Sequence, residues 1–481
     1  MLPLKGSLQR KRSPNLVLAV VCLGVFLGAL DQTVIYGALP KMMPDINLPV
    51  THLDQAAWIV IGYLLGYTFA MPLMGRVSDV YGHRRIYVLS LAIFMGGSIL
   101  IALAGSLQWV ITARIVQAVG GGALVPVAMA IMGDVFSEKR RAVALGIIGA
   151  AAEAGGALGP FYGATVAQFW GWRWIFWINL PISAVVIFIV LYFLKASPRA
   201  YGKVDYIGGL LIAAGVGFLS LGLSQQSGTP NFVIYLTCFL FISLILLILS
   251  GIRLIRTSNP LFRVSMFRNL TFSMSNLTNL LVGGALIIAM VNIPLLSDTI
   301  MGKTALEGGL RLLRFTIMLS AGAVAGGFLC KKFGYRLPTI TGLILSSLGF
   351  FFMSRWSLTV ADPEMTLHLA VCGLGFGLVI APLATGVINS VNEDQKGIAS
   401  SLIIATRMIG MIVGLSAITS WGMDQFHIVT ANMSLSDIVN TPEKVKLSFL
   451  SMFHNFFIAA MVICLVALIP ALWVRRDRRT L

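Results

Sequence analysis

Apolar runs of about 20 residues recur along the whole of this chain, and they decide what it can fold into. Each run is long enough to cross a hydrocarbon core about 30 Å thick as an α-helix. The alternation of apolar and polar residues that is typical of membrane-barrel strands does not occur in them. Because 57% of the 481 residues are hydrophobic and only 11% are charged, the composition excludes an ordinary water-soluble protein. The sequence predicts an all-α integral membrane protein.

The apolar runs number fourteen, so both termini are expected on the same side of the membrane. We predict transmembrane helices at 16–38, 55–76, 86–105, 109–133, 142–168, 173–195, 205–224, 231–252, 270–296, 305–330, 336–354, 366–388, 397–421 and 449–474. Lys and Arg concentrate in the loops on the side of the termini, as at 84–85, 139–141 and 475–479. Since cytoplasmic loops carry this excess, we expect cytoplasmic termini and a multi-pass protein of the plasma membrane. The same excess explains the net charge of +17 without a nucleic-acid partner.

Signals for an enzyme are missing from the sequence. It has no phosphate-cradling loop, no nucleophile with an adjacent base and no cluster of metal-ligating residues. Its five cysteines lie within the spans or at a span end and suggest neither a disulfide nor a metal site. We therefore predict that the chain is not an enzyme, holds no cofactor or metal, and uses an ion gradient rather than ATP.

The two halves of the chain echo each other weakly. Gly121–Pro126 in the fourth span parallels Gly377–Pro382 in the twelfth, once two intervening spans are set aside. Transporters that are built from repeated bundles show internal symmetry of this kind. The sequence thus predicts a 6+2+6 plan, with a six-helix bundle in 1–195, an inserted helix pair in 196–256 and a second six-helix bundle in 257–481.

Ionisable residues inside the apolar runs are the strongest functional signal, because each costs at least about 2.5 to 3.5 kcal/mol at mid-bilayer. Glu153 in the fifth span and Arg407 in the thirteenth occupy equivalent places in the two halves. We predict that Glu153 carries a proton or contacts substrate, with a structural hydrogen-bonding role as the alternative. Arg407 is expected either to contact substrate or to serve only as the counter-ion of Glu153.

Asp31 in the first span and Arg114 in the fourth are predicted to meet within the membrane. A rise of about 1.5 Å per residue puts Asp31 about 22 Å from the basic end of its span and Arg114 about 8 Å from the far end of its own. Two interpretations of such a pair remain open. It is a static ion pair that neutralises two costly charges, or it opens when Asp31 takes up a proton.

Several motifs occur in the order that is typical of one transporter family. They are Gly75-Arg-Val-Ser-Asp79-Val-Tyr-Gly82-His-Arg84-Arg85, Arg114–Gly120, Gly155–Gly163 with Gly159 and Pro160, Leu30–Pro40, Trp172–Pro181 and Pro260–Asn269. Through them the chain resembles the major facilitator superfamily, in particular its fourteen-span drug:proton antiporter branch. Within that branch, Trp58–Gly66, Met71–Gly75, Glu153 and Tyr162 are similar to residues of the mycobacterial exporters of triacylglycerol and lipoglycans.

The resemblance implies a fold of two pseudosymmetric six-helix bundles and a proton-coupled exporter of hydrophobic or amphiphilic compounds, either lipids and lipoglycans or multiple drugs. The implied partners are the lipid bilayer, protons and the substrate, and we expect a monomer that works with an accessory lipoprotein. Two alternatives on the same fold are a non-transporting receptor or platform and proton-coupled uptake.

The cytoplasmic motif between the second and third spans has two interpretations. Its residues Gly75, Asp79, Gly82, Arg84 and Arg85 resemble a gate, in which Asp79 and the two arginines form a latch that closes the inner side. The alternative is ordinary topogenic charge.

Two further groups are also open to two interpretations. Gly155, Gly159 and Gly163 share one helix face, and they form either an antiporter hinge or seal or a simple helix-packing surface. Arg311 and Arg314 also share a face. They guide an anionic headgroup, or they extend towards the membrane surface as long cationic side chains do.

Overall fold

The computed structural model describes residues 14–49, 52–136, 138–194, 204–226, 231–257, 260–392, 395–431 and 442–474. Within them, fourteen helices are long and apolar enough to span a membrane, which confirms the predicted number. The helices are α1 (Pro14–Asp45), α2 (Leu53–Tyr81), α3 (His83–Ala102), α4 (Leu107–Val135), α5 (Glu138–Phe169), α6 (Arg173–Phe193), α7 (Tyr206–Leu223), α8 (Phe232–Arg256), α9 (Leu270–Thr299), α10 (Ala305–Phe333), α11 (Arg336–Met353), α12 (Asp362–Asn389), α13 (Lys396–Ala431) and α14 (Pro442–Ala471). A short 3₁₀-helix, Val264–Arg268, precedes α9.

Several helices extend beyond the apolar runs that predicted them. The first was expected to end at residue 38 and continues to Asp45, and the thirteenth was expected to end at 421 and continues to Ala431. Hydropathy marks only the part of a helix that matches the hydrocarbon core, whereas backbone hydrogen bonding continues into the interface. Residues 432–441, in the middle of the predicted outer segment 422–448, lie outside the described residues.

The two six-helix bundles repeat one packing pattern. α1 packs against α5 as α9 packs against α13, and α2 packs against α4 as α10 packs against α12. Between the bundles, α5 contacts α10 and α2 contacts α13, so these contacts are also related by the repeat. The inserted pair breaks the symmetry, because α7 packs against both α2 and α13 while α8 packs on α7. The pattern matches the predicted 6+2+6 fold.

The hydrophobic core shows which side of the molecule is closed. We call the side of the α2–α3 and α10–α11 turns the basic side and the other the opposite side. One continuous cluster joins the opposite-side half of the first bundle to the core of the second. The basic-side half of the first bundle forms a separate cluster. A cavity of about 1580 Å³, the basic-side cavity, lies between the bundles there, so the molecule is open on the basic side.

Candidate functional site

A central cavity of about 850 Å³ lies between the two bundles. Glu153 of α5 and Arg407 of α13 both line it, so residues predicted to be equivalent face one space from opposite bundles. The rest of the lining is largely apolar, and its larger side chains include Met71, Leu286, Met290, Leu319, Met408 and Met411. Flexible, polarisable Met side chains adapt to substrates of varied shape. The cavity therefore combines an adaptable apolar wall with one anion and one cation.

Glu153 is exposed to this cavity rather than buried in a helix interface. Within the described part of the chain it forms neither a hydrogen bond nor an ion pair, and neither does the Arg407 side chain. Tyr67 of α2 lines the same cavity and interacts electrostatically with both. A Cβ on Gly283 of α9 would lie 2.1 Å from the carbonyl oxygen of Arg407. This glycine therefore lets α9 and α13 pack closely at the position of Arg407.

Asp31 and Arg114 meet as predicted, deep inside the first bundle. Arg114 Nη1 donates to Asp31 Oδ2 at 2.7 Å, and each side chain is only 1% exposed. Asp31 Oδ1 accepts further hydrogen bonds from Gln117 Nε2 at 3.0 Å and Asn179 Nδ2 at 2.9 Å. The guanidinium also stacks on the ring of Tyr63 at 4.0 Å. Both carboxylate oxygens of Asp31 thus have hydrogen-bond partners.

The sequence did not identify Gln117, Asn179 and Tyr63 as partners of this pair. Gln117 and Asn179 are polar residues inside apolar runs and belong to the motifs Arg114–Gly120 and Trp172–Pro181, and these two signals could have identified them. Gln117 Nε2 also donates to Ser98 Oγ at 2.9 Å, so the network joins α1, α3, α4 and α6. The next residues on α1, Gln32 and Thr33, turn to the central cavity instead. Asp31 therefore faces the interior of its own bundle and not the space that holds Glu153.

Gly155, Gly159 and Gly163 form the contact between α5 and α1. A Cβ on Gly155 would lie 2.4 Å from the carbonyl oxygen of Phe26, and one on Gly159 would lie 2.6 Å from that of Leu30. The contact continues at Gly163, whose Cβ would lie 2.0 Å from the carbonyl oxygen of Val34. Such distances require glycine, because a backbone atom cannot move aside as a flexible side chain can. The packing interpretation of this motif thus has a structural basis, and its hinge role stays a prediction.

Pro160 of the same motif lies against Gly37 of α1. A Cβ on Gly37 would lie 2.0 Å from the carbonyl oxygen of Pro160. Small residues on both helices therefore bring the helix that carries Glu153 against the helix that carries Asp31.

Comparison with known proteins identifies the family. Residues 21–415, most of the chain, match the family described as Major Facilitator Superfamily. The chain belongs to the major facilitator superfamily. It is similar to a triacylglyceride transporter of Mycobacteroides abscessus, with 34% identity over 433 residues that cover 86% of this chain and 84% of the relative. A triacylglyceride transporter of Mycobacterium tuberculosis is 34% identical over 438 residues, which cover 86% of this chain and 83% of the relative.

Solved structures of major facilitator proteins share this fold. A bacterial homolog of the human lysosomal transporter Spinster, in an inward-facing and unoccupied conformation, gives a TM-score of 0.70 at 16% identity over 98% of this chain and 100% of that one. A D-xylose–proton symporter gives 0.63 at 15% identity over 94% and 97%. The predicted family and fold are confirmed, and this chain is a membrane transporter of the superfamily.

The motif Gly75–Arg85, which resembles a gate, lines the basic-side cavity through Gly75 and Asp79. Asp79 pairs with Arg76, one helical turn away, at 3.7 Å, and not with Arg84 or Arg85. Gly82 has φ 98° at the α2–α3 turn, a conformation that favours glycine. Arg84 instead donates to the carbonyl oxygen of Leu191 on α6, and Arg85 is exposed. The expected latch is thus absent among the described residues of this open state.

Arg311 and Arg314 lie near the opposite side of α10 and meet one carboxylate, that of Asp362. Arg314 Nη1 donates to Asp362 Oδ2 at 2.8 Å, and Arg311 Nε lies 4.0 Å from Oδ1. Arg311 also donates to Ser297 Oγ at 3.0 Å and is 7% exposed. Neither arginine lines the central cavity. Arg311 is buried and paired, so it does not extend to the membrane surface as one interpretation expected. The other interpretation, guidance of an anionic headgroup, stays a prediction.

Proposed function

We propose that this transporter is a proton-coupled exporter of hydrophobic or amphiphilic molecules, with triacylglyceride-type lipids as its first candidate substrates. The observation that carries the proposal is Glu153, an intramembrane carboxylate without a hydrogen bond or ion pair among the described residues, facing an apolar central cavity. A group this costly to hold in the membrane is retained where it binds a proton or substrate. The names of the relatives supply the substrate class.

The cavity chemistry fits a neutral lipid better than a strongly charged compound. A triacylglyceride offers apolar chains to the Met- and Leu-rich wall and ester carbonyl oxygens to Arg407, whose guanidinium has donors only. Protonated Glu153 gains an O–H donor for the same esters, whereas ionised Glu153 can only accept. Multiple drugs remain the second candidate class, because an adaptable apolar wall does not select one shape.

Glu153 couples protons to transport through the cost of enclosing a charge. When the bundles rock from one open state to the other, the cavity passes through a state closed on both sides. An ionised, unpaired carboxylate is costly there, so the passage is favoured when Glu153 holds a proton or pairs with Arg407. A proton taken up on the opposite side and released on the basic side would thus drive export. Asp31 and Arg114 keep the first bundle rigid while this happens.

The orientation and partners of the protein belong to the same proposal. The basic side faces the cytoplasm, as the positive-inside rule requires, and the protein lies in the plasma membrane. It works as a monomer, and an accessory lipoprotein accepts lipid on the opposite side. Uptake on the same fold would use the same cavity with the reverse direction of substrate movement, while a receptor would show no substrate-dependent proton flux.

Proton flux in proteoliposomes tests the proposal. Purified wild type is reconstituted with an internal pH dye, and a triacylglyceride, a diacylglycerol or ethidium is offered. We expect substrate-dependent proton movement in wild type and only background movement in Glu153→Gln. The matched control is Glu364→Gln, which removes an exposed carboxylate of α12 outside the cavity and should leave the flux intact. Wild-type flux that persists in Glu153→Gln would exclude Glu153 as the coupling residue.

A further inference from the structure

The segment that leads into the second bundle has an unusual charge pattern. From Tyr206 to Ser297 the sequence contains no Asp, Glu or Lys, and its only charged residues are Arg253, Arg256, Arg263 and Arg268. Arg253 is neutralised, because its Nε donates to Asp205 Oδ1 at 2.7 Å. The other three are exposed and have no ion-pair partner among the described residues. Three uncompensated cations therefore lie close together in sequence on the basic side.

Two of these cations belong to a segment that crosses between the bundles. We call Pro260–Asn269 the strap. Leu261 packs with the hydrophobic cluster of the first bundle, and its side chain lies 3.6 Å from the place of a Cβ on Gly209 of α7. Phe262 and the buried Met266 pack with the small cluster of α9, α12 and α13 in the second bundle. The strap thus rests on both bundles at once.

The strap is fixed to the second bundle and borders the basic-side cavity. Asn269 caps α9 by accepting from the Phe272 backbone N–H at 3.2 Å, and its side-chain amide donates to the carbonyl oxygen of Ser390 at 3.2 Å. Pro260 to Arg263 line the cavity together with α2, α4 and α13. A ligand that holds the strap in place therefore acts on the rim of this cavity.

The outer surface of the strap has the composition of a membrane-surface element. Val264 and Phe267 are exposed apolar residues, and exposed Arg263 and Arg268 flank them in the sequence. The strap lies between the basic-side ends of α8 and α9, where a chain leaves the hydrocarbon core. Apolar residues that enter the interface beside cations that meet phosphates are typical of binding to anionic lipid.

We propose that the strap binds the headgroup of an anionic phospholipid in the basic-side leaflet through Arg263 and Arg268, with Arg256 beside them. The bound lipid fixes the strap across both bundles and so favours the state that is open on the basic side. The surface differs from the central cavity, since neither arginine lines it. The proposal does not depend on which molecule is transported or on proton coupling.

Native mass spectrometry of the full-length protein, titrated with phosphatidylglycerol or phosphatidylcholine, tests this assignment. Each surface cation contributes about five-fold to binding of anionic lipid, so the Arg263→Gln/Arg268→Gln variant should bind phosphatidylglycerol about 25-fold more weakly. The Arg263→Lys/Arg268→Lys variant keeps the charge and should stay close to wild type. Binding of phosphatidylcholine should be the same in all of them.

The matched control removes two cations from the same side of the molecule at the α10–α11 turn. Lys332→Gln/Arg336→Gln changes exposed residues away from the strap and should lose much less affinity. An equal loss of phosphatidylglycerol affinity in both double variants would show that binding depends only on general surface charge, and it would overturn the proposal. Preferential binding of a poly-glutamate peptide over phosphatidylglycerol would assign the surface to an acidic protein and overturn it too.

A second measurement does not depend on how well the variants fold. Hydrogen–deuterium exchange of wild type should show slower exchange at strap amides when phosphatidylglycerol replaces phosphatidylcholine in nanodiscs. Unchanged exchange there would contradict a bound headgroup, whatever the variants do.

Discussion

The molecule contains two intramembrane sites that each pair an acidic residue with an arginine in the sequence, and their structures differ. Asp31 and Arg114 form a closed site, with both side chains 1% exposed and paired at 2.7 Å. Glu153 and Arg407 form an open site, in which both line the central cavity without an ion pair between them in the described residues. Each site has one carboxylate and one guanidinium. The difference lies in what surrounds them.

This difference separates a structural role from a proton-exchange role, which the sequence alone could not assign to one site or the other. In the closed site Gln117 and Asn179 also donate to the carboxylate, so protonation would disrupt several hydrogen bonds at once. At the open site protonation of Glu153 disrupts no hydrogen bond in the described chain. The closed site is therefore suited to holding four helices together, and the open site is suited to exchanging a proton.

Breaking the closed site should have the largest effect on stability. Asp31→Asn leaves the buried Arg114 without its counter-ion, and loss of one partner of a buried pair costs about 3 to 5 kcal/mol. Sodium dodecyl sulfate titration in mixed micelles measures the free energy of unfolding. The control is Asp45→Asn, which removes the charge of an exposed pair with Arg173, keeps an amide oxygen that can accept from Trp172 Nε1, and should cost about 1 kcal/mol or less. Equal losses in both would show that Asp31 and Arg114 are not a structural pair.

Depth along a helix could be predicted from the sequence, while rotation about the helix axis could not. Counting residues placed Asp31 and Arg114 at matching depth, and they do meet. The internal repeat predicted equivalent places for Glu153 and Arg407, and both do line one cavity. A count of residues does not give the direction in which a side chain points around the helix axis. It therefore could not predict that Asp31 faces the interior of its own bundle while Gln32 and Thr33 face the central cavity.

The sequence also could not predict contacts that depend on how the two bundles are arranged. The predicted latch of Asp79 with Arg84 and Arg85 belongs to a state that is closed on the basic side, and in this open state Asp79 lies beside Arg76. Arg76 is one helical turn away on the same helix, so this pair requires no contact between helices. Contacts across a gate depend on which side is open, and that is a property of the bundles rather than of local sequence.

Packing between α1 and α5 links the two sites, and changing it should have an intermediate effect. A Cβ in Gly159→Ala would lie 2.6 Å from the carbonyl oxygen of Leu30, which forces the helices apart at a cost of about 1 to 3 kcal/mol. Gly156→Ala is the matched control, because nothing lies within 4 Å of its Cβ. It should be neutral or gain up to about 1 kcal/mol from helix propensity. The same titration measures both, and a loss in Gly156→Ala equal to that in Gly159→Ala would refute close packing as the cause.

The smallest effect on stability is expected at the open site. A double-mutant cycle there tests directly whether Glu153 and Arg407 are paired as Asp31 and Arg114 are. Glu153→Gln and Arg407→Gln each change a cavity-facing side chain without a hydrogen bond or ion pair in the described chain, so each should alter the free energy of unfolding by about 0.5 kcal/mol or less. A double-mutant cycle should give a coupling energy of about 0.5 kcal/mol or less, because the two do not pair in this state. A coupling near 2 kcal/mol would instead make Arg407 a permanent counter-ion of Glu153. Glu153 would then be held in an ion pair as Asp31 is, which would contradict the proposal that it exchanges protons.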